Sequence, residues 1–283
     1  MIFSLVSAAV FIVFVPTVAF AWGPLTHMYL GNELISLGAL IPAGLLEVIR
    51  RHRKDFLYGN LMADIIVGKK YLPKHKNSHS WDVAFDLFNA VETKQQKSFV
   101  CGYLCHLAAD TVAHNIYTAE KRNIGHTLLE MKADCIVDKK YWVQAMEIDR
   151  AIQLRNDLFL EQALDRFIFS FKTNKRILKG MVFLTVFNRE KLSDFIDRNL
   201  ITSLPDRKEI EELQQESLQR ITDLFQHWDK SFVTRESPSG ITHPGRLIRN
   251  ELVTYLLETY RLRRQPMIGM KHIRSRRKRK TKV

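Results

Sequence analysis

Alternation of apolar and polar residues at period two is almost absent from this chain, which excludes a half-buried β-sheet. Internal repeats are absent too. Cysteine is scarce: only Cys101, Cys105 and Cys135 occur, and an odd number excludes complete internal pairing. Cys101 and Cys105 stand four apart in a helical stretch, which puts their Cβ atoms about 6 Å apart. A disulfide needs about 3.8 Å. Small buried residues on helix faces is the simpler role.

Charge is missing from two places, and each absence is informative. Residues 1–21, MIFSLVSAAVFIVFVPTVAFA, carry no charged side chain and end in the small-x-small pattern Ala19-Phe20-Ala21 that signal peptidase reads. They are expected to be a leader removed after Ala21. The alternative is an uncleaved membrane anchor, since about 20 apolar residues can span a bilayer. From Arg261 to the end there is no acid, against eleven Lys and Arg; removing those eleven from the net +13 leaves +2 on the rest. The body of the chain is therefore nearly neutral, which argues against a nucleic-acid-binding surface spread over the whole protein. The tail 261–283 is simplest as a solvated, disordered terminus. Attraction to anionic membrane ranks next, and nucleic acid ranks behind it.

What the chain does have is helical periodicity. Segments such as DLFLEQALDRFIFSFK and EIEELQQESLQRITDLFQHWDKSF place apolar residues three and four apart. An all-α fold follows, with helices expected from about residue 28 onward. Residues 22–150 are expected to form the core. Residues 151–260 extend it or add a second helical layer.

The chain also has histidines: ten in all, seven of them between His27 and His126. In SFVCGYLCHLAADTVAHNIY, His106, Asp110 and His114 follow one another at four-residue steps, which sets them along one helical stripe. His126 and Glu130 repeat the step in GHTLLEMKAD. The three pairs fall within 25 residues, among apolar neighbours such as Leu107, Ala108 and Val112. Polar groups on a helix built for burial need partners, and imidazole with carboxylate is the donor set zinc takes in hydrolytic sites. Asp64 lies in the apolar run Phe56-Leu57-Tyr58-Gly59-Asn60-Leu61-Met62-Ala63-Asp64 and needs a cation or donors. His79 opens an amphipathic segment, whereas His75, in LPKHKNSHS, reads as solvated. At the start, removal of the leader would free the α-amino group of Trp22. That nitrogen and the residue's own carbonyl oxygen can chelate a metal, with His27 five residues on.

From Trp22 to about Trp142 this set of residues resembles the zinc-dependent phospholipase C family, relatives of the single-strand-specific zinc nucleases. The resemblance implies an all-helical fold with up to three zinc ions in one cleft. It implies that Asp64, His79, His106 and Asp110 hold one ion. Trp22 and His27 would hold a second, bridged through Asp110, and His114, His126 and Glu130 the third. One interval departs from the pattern: fewer residues separate Asp110 from His114 than in the well-known enzymes. The activity implied is hydrolysis of a phospholipid headgroup ester by metal-activated water, with Asp64 guiding the proton. Two alternatives stand beside it: a zinc-binding structural or membrane-attached protein without turnover, and a single-strand nuclease.

Overall fold

The computed structural model describes residues 22–65, 78–117, 124–163, 175–176 and 206–240. The expected leader, His75 and the basic tail lie outside these residues. Those described form nine α-helices and no strand: α1 (Pro24–Ser36), α2 (Ala43–Arg51), α3 (Arg53–Met62), α4 (Trp81–Asn89), α5 (Lys94–Val112), α6 (Ile124–Ile136), α7 (Lys140–Met146), α8 (Arg150–Ala163) and α9 (Arg207–His227). The chain is all-α, as its periodicity requires. Among the described residues no helix is long and apolar enough to cross a membrane.

Helix α5 organises the rest. Thr93 caps it: its hydroxyl accepts from the Gln96 N–H at 3.2 Å, and the Gln96 side chain returns the bond to the Thr93 N–H at 3.0 Å, which satisfies two N–H groups the helix start would leave open. Beyond that turn every residue from Ser98 to Val112 is buried. A helix buried on all sides must be central, and α1, α2, α3, α4, α8 and α9 all pack against it. Both α8 and α9 lie beyond the expected core boundary at 150, so those parts of the C-terminal half cover the same central helix as the N-terminal half.

The closest approach is between α3 and α5, and it rests on two glycines. A Cβ placed on Gly59 would overlap the carbonyl oxygen of Phe99, and one on Gly102 would overlap that of Phe56. Each helix thus lays its backbone into the notch left by the other. Because the obstacle is backbone, the strain of an added methyl has no side chain to absorb it. Gly102→Ala is expected to lose about 3 kcal/mol of stability, the upper part of the usual overpacking range. Thermal unfolding checks this; an unchanged Tm would show that the helices separate freely.

Helix α1 starts at Pro24, four residues ahead of the expected position. Pro24 has no N–H to satisfy and its fixed φ suits a first helical position. The next two N–H groups, of Leu25 and Thr26, are taken by the Asp134 carboxylate from α6, at 3.1 and 2.8 Å. The cap is supplied by another helix, which is why no local sequence pattern announces it. Cys101 and Cys105 are both fully buried and not bridged, and burial pushes the Cys101 thiol up to about 12.

Candidate metal centre

Four segments bring their polar side chains to one buried point. Asp64 comes from a single 3-10 turn, Ala63–Ile65, that ends α3. His79 stands two residues before α4, and His106 and Asp110 share one face of α5. Asp64 and His79 are 2% exposed, and His106 and Asp110 are 0% exposed. One ligand atom from each of the four lies within 4.8 Å of all the others.

The spacings within that group decide what it can hold. His79 Nε2 is 2.9 Å from Asp110 Oδ2 and 3.2 Å from Asp64 Oδ1. His106 Nε2 is 3.2 Å from Asp110 Oδ2, 3.6 Å from Asp64 Oδ1 and 3.1 Å from His79 Nε2. Zinc bound tetrahedrally at about 2.0–2.1 Å needs its ligand atoms roughly 3.3 Å apart, and the five separations scatter about that value. Two imidazole Nε2 atoms 3.1 Å apart cannot both carry protons comfortably. They can share a cation. The donor set therefore fits zinc by atom type, by convergence and by spacing.

Tautomers agree with this. His106 Nδ1 donates to the Asn60 carbonyl oxygen at 2.8 Å, which leaves the Nε2 lone pair pointing at the cluster. The Tyr103 hydroxyl donates to the carbonyl of Ser78 and so pins the short loop that presents His79.

His27, in the first turns of α1, reaches the other oxygen of Asp110: its Nε2 is 3.1 Å from Asp110 Oδ1. Its ring stacks on that of His106, with centroids 3.6 Å apart and planes 17° from parallel. Although fully buried, neither ring nitrogen of His27 makes a hydrogen bond of acceptable geometry, and neither does Asp110 Oδ1. Buried polar atoms left in that state are costly unless something else binds them. Asp110 thus presents one oxygen to His79 and His106 and the other to His27, the arrangement of a carboxylate between two cations.

Proton binding reports the same unbalanced charge. Burial by itself would lower the His106 pKa, but the Asp110 and Asp64 carboxylates overcome it and raise the group to about 10. For Asp110 burial acts upward, and the His106 and His27 charges pull the carboxyl well below its ordinary value. His27 is lowered, chiefly by burial and then by the His106 charge. The carboxylates hold positive charge strongly at this point.

The remaining expected ligands are placed as follows. His114 is 7% exposed, and its ring centroid is 6.5 Å from that of His79. The short interval before it coincides with a change of helix type, since Ala113–Tyr117 continue α5 as a π turn; such turns recur at functional sites. Glu130, on α6, is 2% exposed. The side chain of His126 lies outside the described residues. Trp22 is fully buried: its indole stacks on Tyr117 at 4.8 Å and donates through Nε1 to Ser217 Oγ at 3.0 Å. The Tyr117 hydroxyl in turn donates to the Leu129 carbonyl at 2.7 Å, beside Glu130.

Asp134 was not among the expected site residues. Burial raises its carboxyl to about 6, although three donors from Leu25 and Thr26 oppose the rise. The available signal was its position: it extends the four-residue steps of His126 and Glu130 by one more turn.

Fold and site together define an all-helical protein with a buried histidine–aspartate centre suited to zinc. Residues 26–176 match the model of the family described as zinc dependent phospholipase C, just over half of the chain, and the chain belongs to that family. The match runs beyond Trp142, where the resemblance read from the ligand pattern stops. Comparison with curated proteins and with solved structures gives no match.

Proposed function

We propose that this chain is an exported, zinc-dependent phosphodiester hydrolase that cleaves phospholipid headgroup esters. The observation that carries the proposal is the convergence of Asp64, His79, His106 and Asp110 at zinc-ligand spacing in a chain of this family. Bound zinc supplies Lewis acidity toward the phosphate and a more acidic water. The chain supplies everything else. Asp64, His79, His106 and Asp110 would hold one ion. His27, Asp110 Oδ1 and the main-chain amino and carbonyl groups of Trp22 would hold a second. His114, His126 and Glu130 would hold a third. Asp64 would accept a proton from water. Asn60 and Tyr103 fix the orientation of His106 and the loop of His79, so the ligands need no reorganisation when substrate arrives. Cleavage after Ala21 creates the free amino group of Trp22.

The test uses protein exported by a secretion-competent host. N-terminal sequencing is expected to begin at Trp22, and elemental analysis to find zinc in at least stoichiometric amount. Phosphatidylcholine vesicles should lose their headgroups, with activity abolished by chelation and restored by zinc. Cleavage of single-stranded DNA instead would move the chain among the nucleases. Zinc without hydrolysis of either would leave a structural zinc protein, and protein without zinc would end the metal reading.

A further inference from the structure

We propose that Asp134 is a positioning residue that sets Trp22 and His27 in register with the metal centre. The inference rests on the proposed function, because it takes those two residues as ligands.

Four features of the segment at Trp22 make sense only together with this carboxylate. Gly23 precedes α1 and has no side chain to cap the helix. A Cβ there would overlap the Asp134 carboxylate, so the side-chain cap that most helices carry is excluded by the one that reaches in from α6. Pro24 removes an N–H that would find no acceptor. The next two N–H groups, of Leu25 and Thr26, each bond one oxygen of Asp134, at 3.1 and 2.8 Å. The Thr26 hydroxyl adds a third bond at 2.8 Å. Asp134 is 1% exposed, and these three donors account for its burial. The bonds join residues more than a hundred positions apart in sequence. Between them they fix the backbone just after Pro24, and the Asp134 carboxylate packs against Gly23 just before it, with Trp22 and His27 on either side of this stretch.

The placement couples two groups of ligands. Asp134 stands on α6 one turn beyond Glu130, while the segment it holds carries Trp22 and His27. On the opposite side the Trp22 indole is held by Ser217 and Tyr117. The ring is thus held directly, and the main chain that follows it is fixed from Leu25 onward by Asp134. His79 and His106 are oriented separately, through Ser78, Tyr103 and Asn60. Loss of Asp134 should consequently loosen one part of the centre and spare the other.

The experiment is chelator competition on the exported full chain, comparing wild type with Asp134→Asn and with the milder Thr26→Val, which removes only the hydroxyl bond. Elemental analysis gives total zinc, and far-UV circular dichroism reports whether each variant is folded. Asp134→Asn offers one acceptor where two are needed and places an amide N–H₂ against a backbone donor. Part of the zinc is expected to become about 10–100-fold weaker, the usual effect of losing a partner behind the ligands, while the remainder holds wild-type affinity. Thr26→Val should shift the same part by less. All zinc weakening equally, in folded protein, would mean general loosening and would overturn the proposal. Unchanged affinity in both variants would overturn it while leaving the metal reading intact. Wild type without zinc would overturn both.

Discussion

Asp110→Ala is expected to cost the protein most of its zinc and to lower phosphodiester hydrolysis by more than the about 10–100-fold that follows loss of an outer partner. No other side chain in the cluster faces both ways: Oδ2 lies 2.9 Å from His79 and 3.2 Å from His106, while Oδ1 lies 3.1 Å from His27. In the proposed arrangement its removal would take one ligand from each of two ions, and it takes half of the carboxylate charge among the four converging residues. It leaves three buried imidazoles facing one another with only Asp64 to balance a cation. Because a metal that binds only the folded state stabilises it, the consequence is also visible without substrate. Chelation should lower the wild-type Tm by about 10 °C, taking about 4 kcal/mol of binding linkage over a unit of this size. It should leave the Tm of Asp110→Ala almost where it was. Asp64→Asn is the contrast. That substitution retains an oxygen ligand and the bridging carboxylate but removes the group assigned to the proton, so hydrolysis should fall further than zinc content. Full zinc occupancy in folded Asp110→Ala would sink the bridging role and the two-ion arrangement with it.

The residues that were legible in the sequence share one property: their chemistry and their spacing lie on a single element. His106 and Asp110 stand one helical turn apart among Leu107, Ala108 and Ala109, so a buried pair of donors could be read from periodicity alone. The all-α fold was legible for the same reason. Asp64 and His79 sit in short turns, and only the family resemblance joins them to α5. What the sequence could not show is held by backbone or by distance along the chain. The carbonyl of Asn60 that orients His106 has no side-chain signature. Asp134 has no local signal of its capping role, since its partners are two backbone N–H groups and a hydroxyl on α1. Gly59 and Gly102 carry no local signal for the close approach of α3 and α5 that needs both. The start of α1 was misplaced because its cap is not local.

Arg220 illustrates the same limit, and its replacement carries a loss of stability as large as that expected of Gly102→Ala. It lies in QQESLQRITDLF on α9, and its side chain is 3% exposed. Nη1 pairs with Glu236 at 2.5 Å and donates to Thr111 Oγ1 at 3.0 Å, and Nη2 pairs with Glu216 at 2.9 Å. Glu236 also accepts from Asn115 Nδ2 at 3.2 Å, and its carbonyl accepts from the Trp81 indole at 2.8 Å. Asn115 donates further to the Ser237 carbonyl at 3.3 Å. Three elements therefore meet at one guanidinium, α9, the end of α5 and the segment around Glu236, and the π turn joins them through Asn115. That segment continues to Gly240, whose positive φ of 65° suits a residue without Cβ and where an added Cβ would come within 3.0 Å of the His114 Cβ. Truncation to Ala leaves Glu216 and Glu236 without their cation. Breaking a buried pair in this way costs about 3–5 kcal/mol, and the partial exposure of Glu236 places this case near 3. For a unit of this size a Tm lower by roughly 10 °C follows. Lys at 220 keeps the charge but not the fork that spans Glu216, Glu236 and Thr111, so it should recover only part of the loss. The effect should fall mainly on His114, because His79 and His106 keep their anchors at Ser78 and Asn60, although Thr111 beside Asp110 and Trp81 near His79 also belong to this network. Zinc held by Asp64, His79, His106 and Asp110 is expected to survive in Arg220→Lys while a more weakly held fraction is released to chelator. A Tm within a degree or two of wild type in Arg220→Ala would show that water replaces the guanidinium at no cost, and the strap over His114 would lose its physical basis.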